Sequence, residues 1–132
     1  MTLLLIDTDI CSYAIKSQHG IAQRLFAAAP GSWAISSITH HELSFGASLD
    51  GALPKTVENV ARFLESAKIL DFDTNASVAA ALVRKNLRSQ GKPSGAYDEL
   101  IAGHALALDA ILITNNLKHF ERVPGLKLES WL

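Results

Sequence analysis

Apolar positions fall along this chain in short unbroken runs, separated by longer stretches where they recur at helical spacing. The first run is Leu3-Leu4-Leu5-Ile6, which ends in Asp7. Four consecutive apolar residues read as a strand buried on both faces, here Leu3–Asp7. Trp33–Ile38 is a second strand, rich in β-branched and aromatic residues. Ile69–Phe72, Ala110–Thr114 and Leu126–Trp131 supply a third, a fourth and a final edge strand. Helices fill the gaps: Ile10–Ser17, Ile21–Ala29 before Pro30-Gly31, and one from Thr39 to about Ala47. Pro54 opens another helix, with Val57, Val60, Ala61, Leu64 and Ala67 at helical spacing. Thr74 caps a long helix to about Ser89, which Gly91 stops. Lys92–Ala96 is a loop, and a helix from about Asp98 to Leu108 follows, with Asp109 as its turn.

Helices between short apolar strands predict an α/β fold, with a mostly parallel central β-sheet flanked by helices on both faces. There is no repeat, linker or low-complexity tract, and 132 residues fit a single domain over 1–132. Ligands of such sheets bind outside the carboxyl ends of the strands. Asp7, Asn115 and Asn116 end two strands, Glu42 follows a third by one helical turn, and Asp98 begins the helix leading into the fourth. Five oxygen-bearing side chains, distant in sequence, are thus expected at one edge.

A composition of 48% apolar and 19% charged residues marks a globular chain. Its net charge of −1 gives no global basic field, so nucleic acid has to be held by local patches. Arg84, Lys85, Arg88 and Lys92 form one candidate patch, and Lys118 and Arg122 lie beyond Asn116; the plain reading of each is a solvated face. The single cysteine, Cys11, forms no intrachain disulfide and suits a reducing cytoplasm. It reads as a small buried hydrophobe. No apolar run reaches the ~18 residues of a membrane span, and Met1-Thr2 leaves no room for a leader.

Carboxylates with amide oxygens suit hard cations such as Mg²⁺ or Mn²⁺, and clustered acids repel unless such an ion neutralises them. A metal held this way activates water at phosphorus. Structural readings stand beside this one. Asp7 can cap the next helix, and Asp9 reads as a capping or supporting residue. Thr39 and Glu42 have the spacing of a capping box. Asp98 suits a helix start, Glu99 reads as a solvated charge, and Asn116 as a turn residue. His104 reads as a core or interface histidine. Thr114 and Ser36 either position water or phosphate, or bond the backbone. There is no H-E-x-x-H helix, Walker loop, G-x-S-x-G elbow or G-x-G-x-x-G fingerprint.

Four pieces together resemble the PIN-domain ribonucleases, specifically the VapC toxins of type II toxin–antitoxin pairs. They are Leu3–Ile10 around Asp7-Thr8-Asp9, Ile35–Leu43 with Gly46-Ala47, Tyr97–Ala105, and Ile113–Asn116 with Phe120 and Arg122–Leu126. Their order and spacing cover almost the whole chain. The resemblance implies a PIN-like fold, with Asp7, Glu42 and Asp98 as metal-binding catalytic acids and Asn116 in support. It implies Mg²⁺-dependent cleavage of structured RNA such as tRNA or rRNA. It also implies a homodimer within a higher toxin–antitoxin assembly, and a VapB-type antitoxin entering the active-site groove. The chain departs from the pattern in places. Asn116 stands where many PIN domains have a fourth acid, Asp9 where Asn is usual, and His119 where related toxins often have an acid. Ser94 and Ala96 replace a common Ile and Pro. Two other readings stay open at this point. A haloacid-dehalogenase-like phosphatase would use Asp7 of Asp7-Thr8-Asp9 as nucleophile, and a catalytically silent partner would keep the fold without the chemistry.

Overall fold

The computed structural model describes residues 2–132. Among them, five strands form one parallel sheet: β1 (Leu4–Ile6), β2 (Trp33–Ser36), β3 (Ile69–Leu70), β4 (Ile111–Ile113) and β5 (Lys127–Glu129), in the order β3-β2-β1-β4-β5. The strands are as expected in place and shorter in length. Leu4, Leu5 and Ile6 sit opposite Ile111, Leu112 and Ile113. β1 is central, and connections leave it toward β2 on one side while β4 lies on the other. The strand order therefore reverses between β1 and β4, where open parallel sheets form a crevice at their carboxyl ends.

Alternation along the strands sorts the core into two layers. Ile6, Ile35 and Ile113 point to one face. There they meet Ile10 and Cys11 of α1 (Thr8–Ile15), Ile21 and Leu25 of α2 (Ile21–Ala27), Leu43 of α3 (Ser37–Ser48), and Val60 and Phe63 of α4 (Pro54–Ser66). Leu5 and Leu112 point to the other face, against Val83 and Leu87 of α5 (Thr74–Ser89) and Ile101, Ala102 and Ala105 of α6 (Ala96–Leu108). Phe120 of the short α7 (Leu117–Phe120) closes that layer; α7 had no signal of its own in the sequence. Cys11 is fully buried, as expected of a small hydrophobe. No helix of the described residues is long and apolar enough to cross a membrane.

Helix starts differ from the expected ones because other side chains cap them. Asp7 Oδ1 accepts the Thr8 amide at 2.8 Å, so α1 begins at Thr8 rather than Ile10. Ser36 Oγ accepts the Ile38 amide at 3.0 Å, so α3 begins at Ser37. That leaves Thr39 inside the first turn and removes the capping box. Asp73, not Thr74, caps α5 through the Ala76 amide at 2.9 Å. Asp109 ends α6 in a left-handed conformation, at φ 51°, as its expected turn role requires.

α5 and α6 approach closely where Ala80 faces Gly103. A Cβ at Gly103 would run into the backbone of Ala80, which cannot rotate away. Gly103→Ala is therefore expected to cost about 3 kcal/mol, the upper end for overpacking a tight core. Urea unfolding checks this, and a loss below about 0.5 kcal/mol would contradict the close approach.

Candidate active site

Asp7 leaves the carboxyl end of β1 and is only 3% exposed. The chain ties it down from two sides. Its Oδ1 accepts the Thr8 amide, and its Oδ2 accepts the Thr114 hydroxyl at 2.7 Å, across the crevice from the end of β4. Thr114 Oγ1 in turn accepts the Asn116 amide at 3.0 Å. Of the two hydroxyls expected to position water or phosphate, Thr114 thus orients Asp7. Ser36 instead caps α3 and bonds His104 Nδ1 at 2.8 Å inside the core.

Glu42 lies half-buried on the second turn of α3. Its Oε1 accepts the Thr8 hydroxyl at 2.8 Å, and that hydroxyl lies 2.9 Å from Thr39 Oγ1. Thr8 has one hydroxyl proton and gives it to Glu42, so Thr39 donates to Thr8. Thr8 therefore serves both acids, its amide on Asp7 and its hydroxyl on Glu42. Its role was hidden in the sequence. The available signals were a threonine directly after the strand-end acid and another three residues before Glu42, one turn away on the same helix.

Asp98 is half-buried in the first turn of α6, which starts at Ala96 rather than at Asp98. All three acids are pushed above the ordinary carboxylate range. Burial raises Asp7 to about 7; Asp9 and Asp98 add repulsion, while Thr114 and the Thr8 amide pull it down. Burial raises Glu42, with the Thr8 hydroxyl opposing and Asp98 and Asp9 adding. Burial also raises Asp98, helped by Asp9 and Glu99 and opposed by His119. Asp98 thus lies near enough to both other acids to repel them. Asp9 is exposed in the first turn of α1 and adds charge to all three. Asn116 is half-buried at the start of α7, and Asn115 is exposed with its amide 3.4 Å from the Tyr13 hydroxyl.

As placed, no three His, Cys, Asp or Glu side chains of the described residues stand close enough to hold one ion among them. The donor set nevertheless fits a hard cation of the Mg²⁺ kind, which keeps several waters and takes only one or two protein carboxylates directly. Each Asp7 oxygen has one protein donor and keeps lone-pair capacity.

Glu99 is the clearest departure from expectation. It is not a solvated charge but 3% exposed. Its Oε1 accepts Arg84 Nε at 2.9 Å and its Oε2 accepts the Ser94 amide at 3.3 Å. One carboxylate thereby joins α5, the loop before α6 and the turn that carries Asp98. Arg84, a candidate phosphate contact, is committed to this pair, whereas Lys85, Arg88, Lys92 and Lys118 are exposed. His104 is a core residue, and burial holds its imidazole below the usual range, against Asp73 and Asp71.

Two stability measurements follow from this geometry. Arg84→Ala strands a buried charge and is expected to cost about 3 kcal/mol. Glu99→Gln leaves a neutral amide that still accepts from Ser94, and is expected to cost about 1 kcal/mol. The reverse order in urea unfolding would contradict the brace. The second measurement is pH dependence without metal. The folded pKa of Asp7 lies above its unfolded value, so its stabilising share is full below about 4 and is lost as pH rises through about 7. Between pH 5.5 and 8.5 the metal-free protein is expected to lose about 2 kcal/mol relative to Asp7→Asn, a comparison that cancels His104. Parallel pH profiles for the two proteins would contradict it.

The chain is similar to known proteins along nearly its whole length. The sequence pattern of the PIN domain family matches residues 4–126. The chain is 36% identical to the tRNA(fMet)-specific endonuclease VapC of Salmonella typhimurium over 99% of both chains. It is 37% identical to the ribonuclease VapC2 of Rickettsia felis over 98% of both. The crystal structure of DNA-bound VapBC from Salmonella typhimurium superposes with a TM-score of 0.90 at 36% identity, covering 100% of both chains. VapBC2 from Rickettsia felis, bound to a promoter DNA fragment, gives 0.89 at 36%, covering 98% of this chain and 99% of that one. With sequence pattern, relatives and backbone agreeing from end to end, the chain belongs to the PIN-domain family, among its VapC ribonucleases.

Proposed function

We propose that this protein is the toxin of a toxin–antitoxin pair, a metal-dependent endoribonuclease that hydrolyses phosphodiester bonds in structured RNA. The reading rests on Asp7, Glu42 and Asp98 lying within electrostatic reach of one another beside the strand-order reversal, each raised in pKa by burial and by acidic neighbours. Acids arranged this way are at odds with their surroundings until positive charge arrives. Asp7, Glu42 and Asp98 would hold Mg²⁺, or Mn²⁺ in its place, with the Asn116 amide oxygen in support. When bound, such an ion lowers the pKa of water and stabilises charge on phosphate oxygens.

The protein's own part is orientation. Thr114 and the Thr8 amide fix the Asp7 carboxylate, and the Thr8 hydroxyl, backed by Thr39, fixes Glu42. Hydrolysis by water needs no 2′-hydroxyl nucleophile, so the products are expected to carry 5′-phosphate and 3′-hydroxyl ends. Lys85, Arg88, Lys92 and Lys118 are the candidate phosphate contacts, because Arg84 is occupied by Glu99.

The substrate class follows from relatives. The Salmonella relative is named for tRNA(fMet), which makes tRNA the first RNA to test and rRNA the second. The solved VapBC assemblies pair a toxin with VapB on DNA, and a VapB-type antitoxin with a homodimeric toxin in a higher assembly is proposed here by analogy. Membership of the PIN family sets aside the phosphatase reading with Asp7 as nucleophile.

Purified protein with Mg²⁺ is expected to cut tRNA, and chelation is expected to abolish cutting. Asp7→Asn and Asp98→Asn are each expected to lower the rate at least about 100-fold, since both remove a charge from the metal site. Cleavage that survives chelation or both substitutions would overturn the assignment. A protein that cuts neither tRNA nor rRNA would favour the silent partner.

A further inference from the structure

The helix turns that supply the acids also present aromatic rings beside them. His41 and Phe45 flank Glu42 on α3, and Tyr97 precedes Asp98 on α6. His41, Glu42, Phe45 and Tyr97 line one open cavity of about 450 Å³, within the size range of small-ligand sites. Phe45 is 60% exposed and Tyr97 46% exposed, so much of both rings faces solvent. His41 Nε2 lies 3.2 Å from the Tyr97 hydroxyl, and the two rings sit 5.6 Å apart at 53°. That contact joins α3 to α6 and fixes the ring orientation.

The lining chemistry selects the occupant. Three of the four lining side chains are aromatic, those of His41 and Tyr97 also carry hydrogen-bonding atoms, and neither Lys nor Arg lines the cavity. Such walls do not attract phosphate. They suit a planar heterocycle, because bases stack on aromatic side chains and expose polar edges. The remaining wall is Glu42, one of the acids proposed to serve the cleaved phosphate. Glu42 borders the cavity, so a base one sugar away from that phosphate is within reach of it.

We propose that His41, Phe45 and Tyr97 form a stacking subsite for an unpaired RNA base next to the scissile phosphate. The proposal rests on the ribonuclease reading above. It makes specificity depend on a nucleotide free to leave its stack, which loops offer and duplexes do not.

The test is single-turnover cleavage of the RNA that the wild-type protein cuts, with the intact substrate and with abasic versions at the nucleotides flanking the cut. On intact RNA, Phe45→Ala and Tyr97→Ala are expected to raise the half-saturating concentration about 10-fold each, as loss of one base stack does. Tyr97→Phe, which keeps the ring, is expected to lose less than Tyr97→Leu, which keeps only apolar bulk. The wild-type protein is expected to lose a similar factor on one abasic RNA, and Tyr97→Ala to lose little more on that RNA. The abasic arm uses wild-type protein, so it holds even if a variant fails to fold. Well-folded Ala variants that match wild type on intact RNA would overturn the subsite, as would equal losses on intact and abasic RNA. Weakened antitoxin binding with unchanged RNA cleavage would assign the cavity to a protein partner instead. A wild-type protein that cuts no RNA overturns the ribonuclease reading and this subsite with it.

Discussion

A carboxylate that is 3% exposed at the end of a central strand is stable only if donors or a cation replace its water. At Asp7 the protein supplies two donors, the Thr8 amide and the Thr114 hydroxyl, and these are not enough to hold the group in its ordinary range. The shift from 3.8 to about 7 corresponds to roughly 4 kcal/mol of residual penalty on the charged form. Everything around the crevice either contributes to that penalty or organises it. The reversal of strand order places the ends of β1 and β4 side by side, so Thr114 can reach Asp7. Thr8 then couples Asp7 to Glu42 through consecutive donors of a single residue.

Two further devices keep Asp98 facing this pair. Glu99 anchors the same helical turn to Arg84 and to the loop before it, while Gly103 lets α6 approach α5 closely. The ion pair works because Glu99 is buried, whereas the Arg84 side chain stays about half exposed and needs less compensation. His104 crosses in the other direction, joining α6 to the serine that caps α3. The helices carrying Asp98 and Glu42 are therefore connected through the core as well as across the crevice. Rigid support of this kind is what a site of repelling charges requires, since a loose scaffold would relax by moving the acids apart.

The architecture was legible because unbroken apolar runs and helical spacing are strong local signals, and the apolar runs at 3–6 and 110–113 have few alternatives. The three acids stood out as candidates because Asp7 ends a strand, Glu42 follows one by a helical turn and Asp98 begins a helix. The failures were of another kind. Spacing suggested that Thr39 and Glu42 form a capping box, but Ser36 caps the helix three residues earlier and frees both for Thr8. Glu99 read as solvated because it is next to Asp98 in sequence and so points elsewhere on the helix. Its partner Arg84 lies on a different helix and no local pattern announces it. The short α7 formed where the chain leaves β4, set by the packing of Phe120 rather than by any periodicity. What sequence could not show was long-range pairing between polar groups.

On the proposed reading, a bound divalent cation favours the ionised form of Asp7 that burial disfavours. Carboxyl-detected NMR of ¹³C-labelled protein, titrated with and without Mg²⁺, tests it most directly. Without metal, Asp7 is expected to titrate near 7, and saturating Mg²⁺ is expected to carry it below the range of the titration. An Asp7 that titrates at an ordinary aspartate value without metal, or that ignores Mg²⁺, would contradict the account.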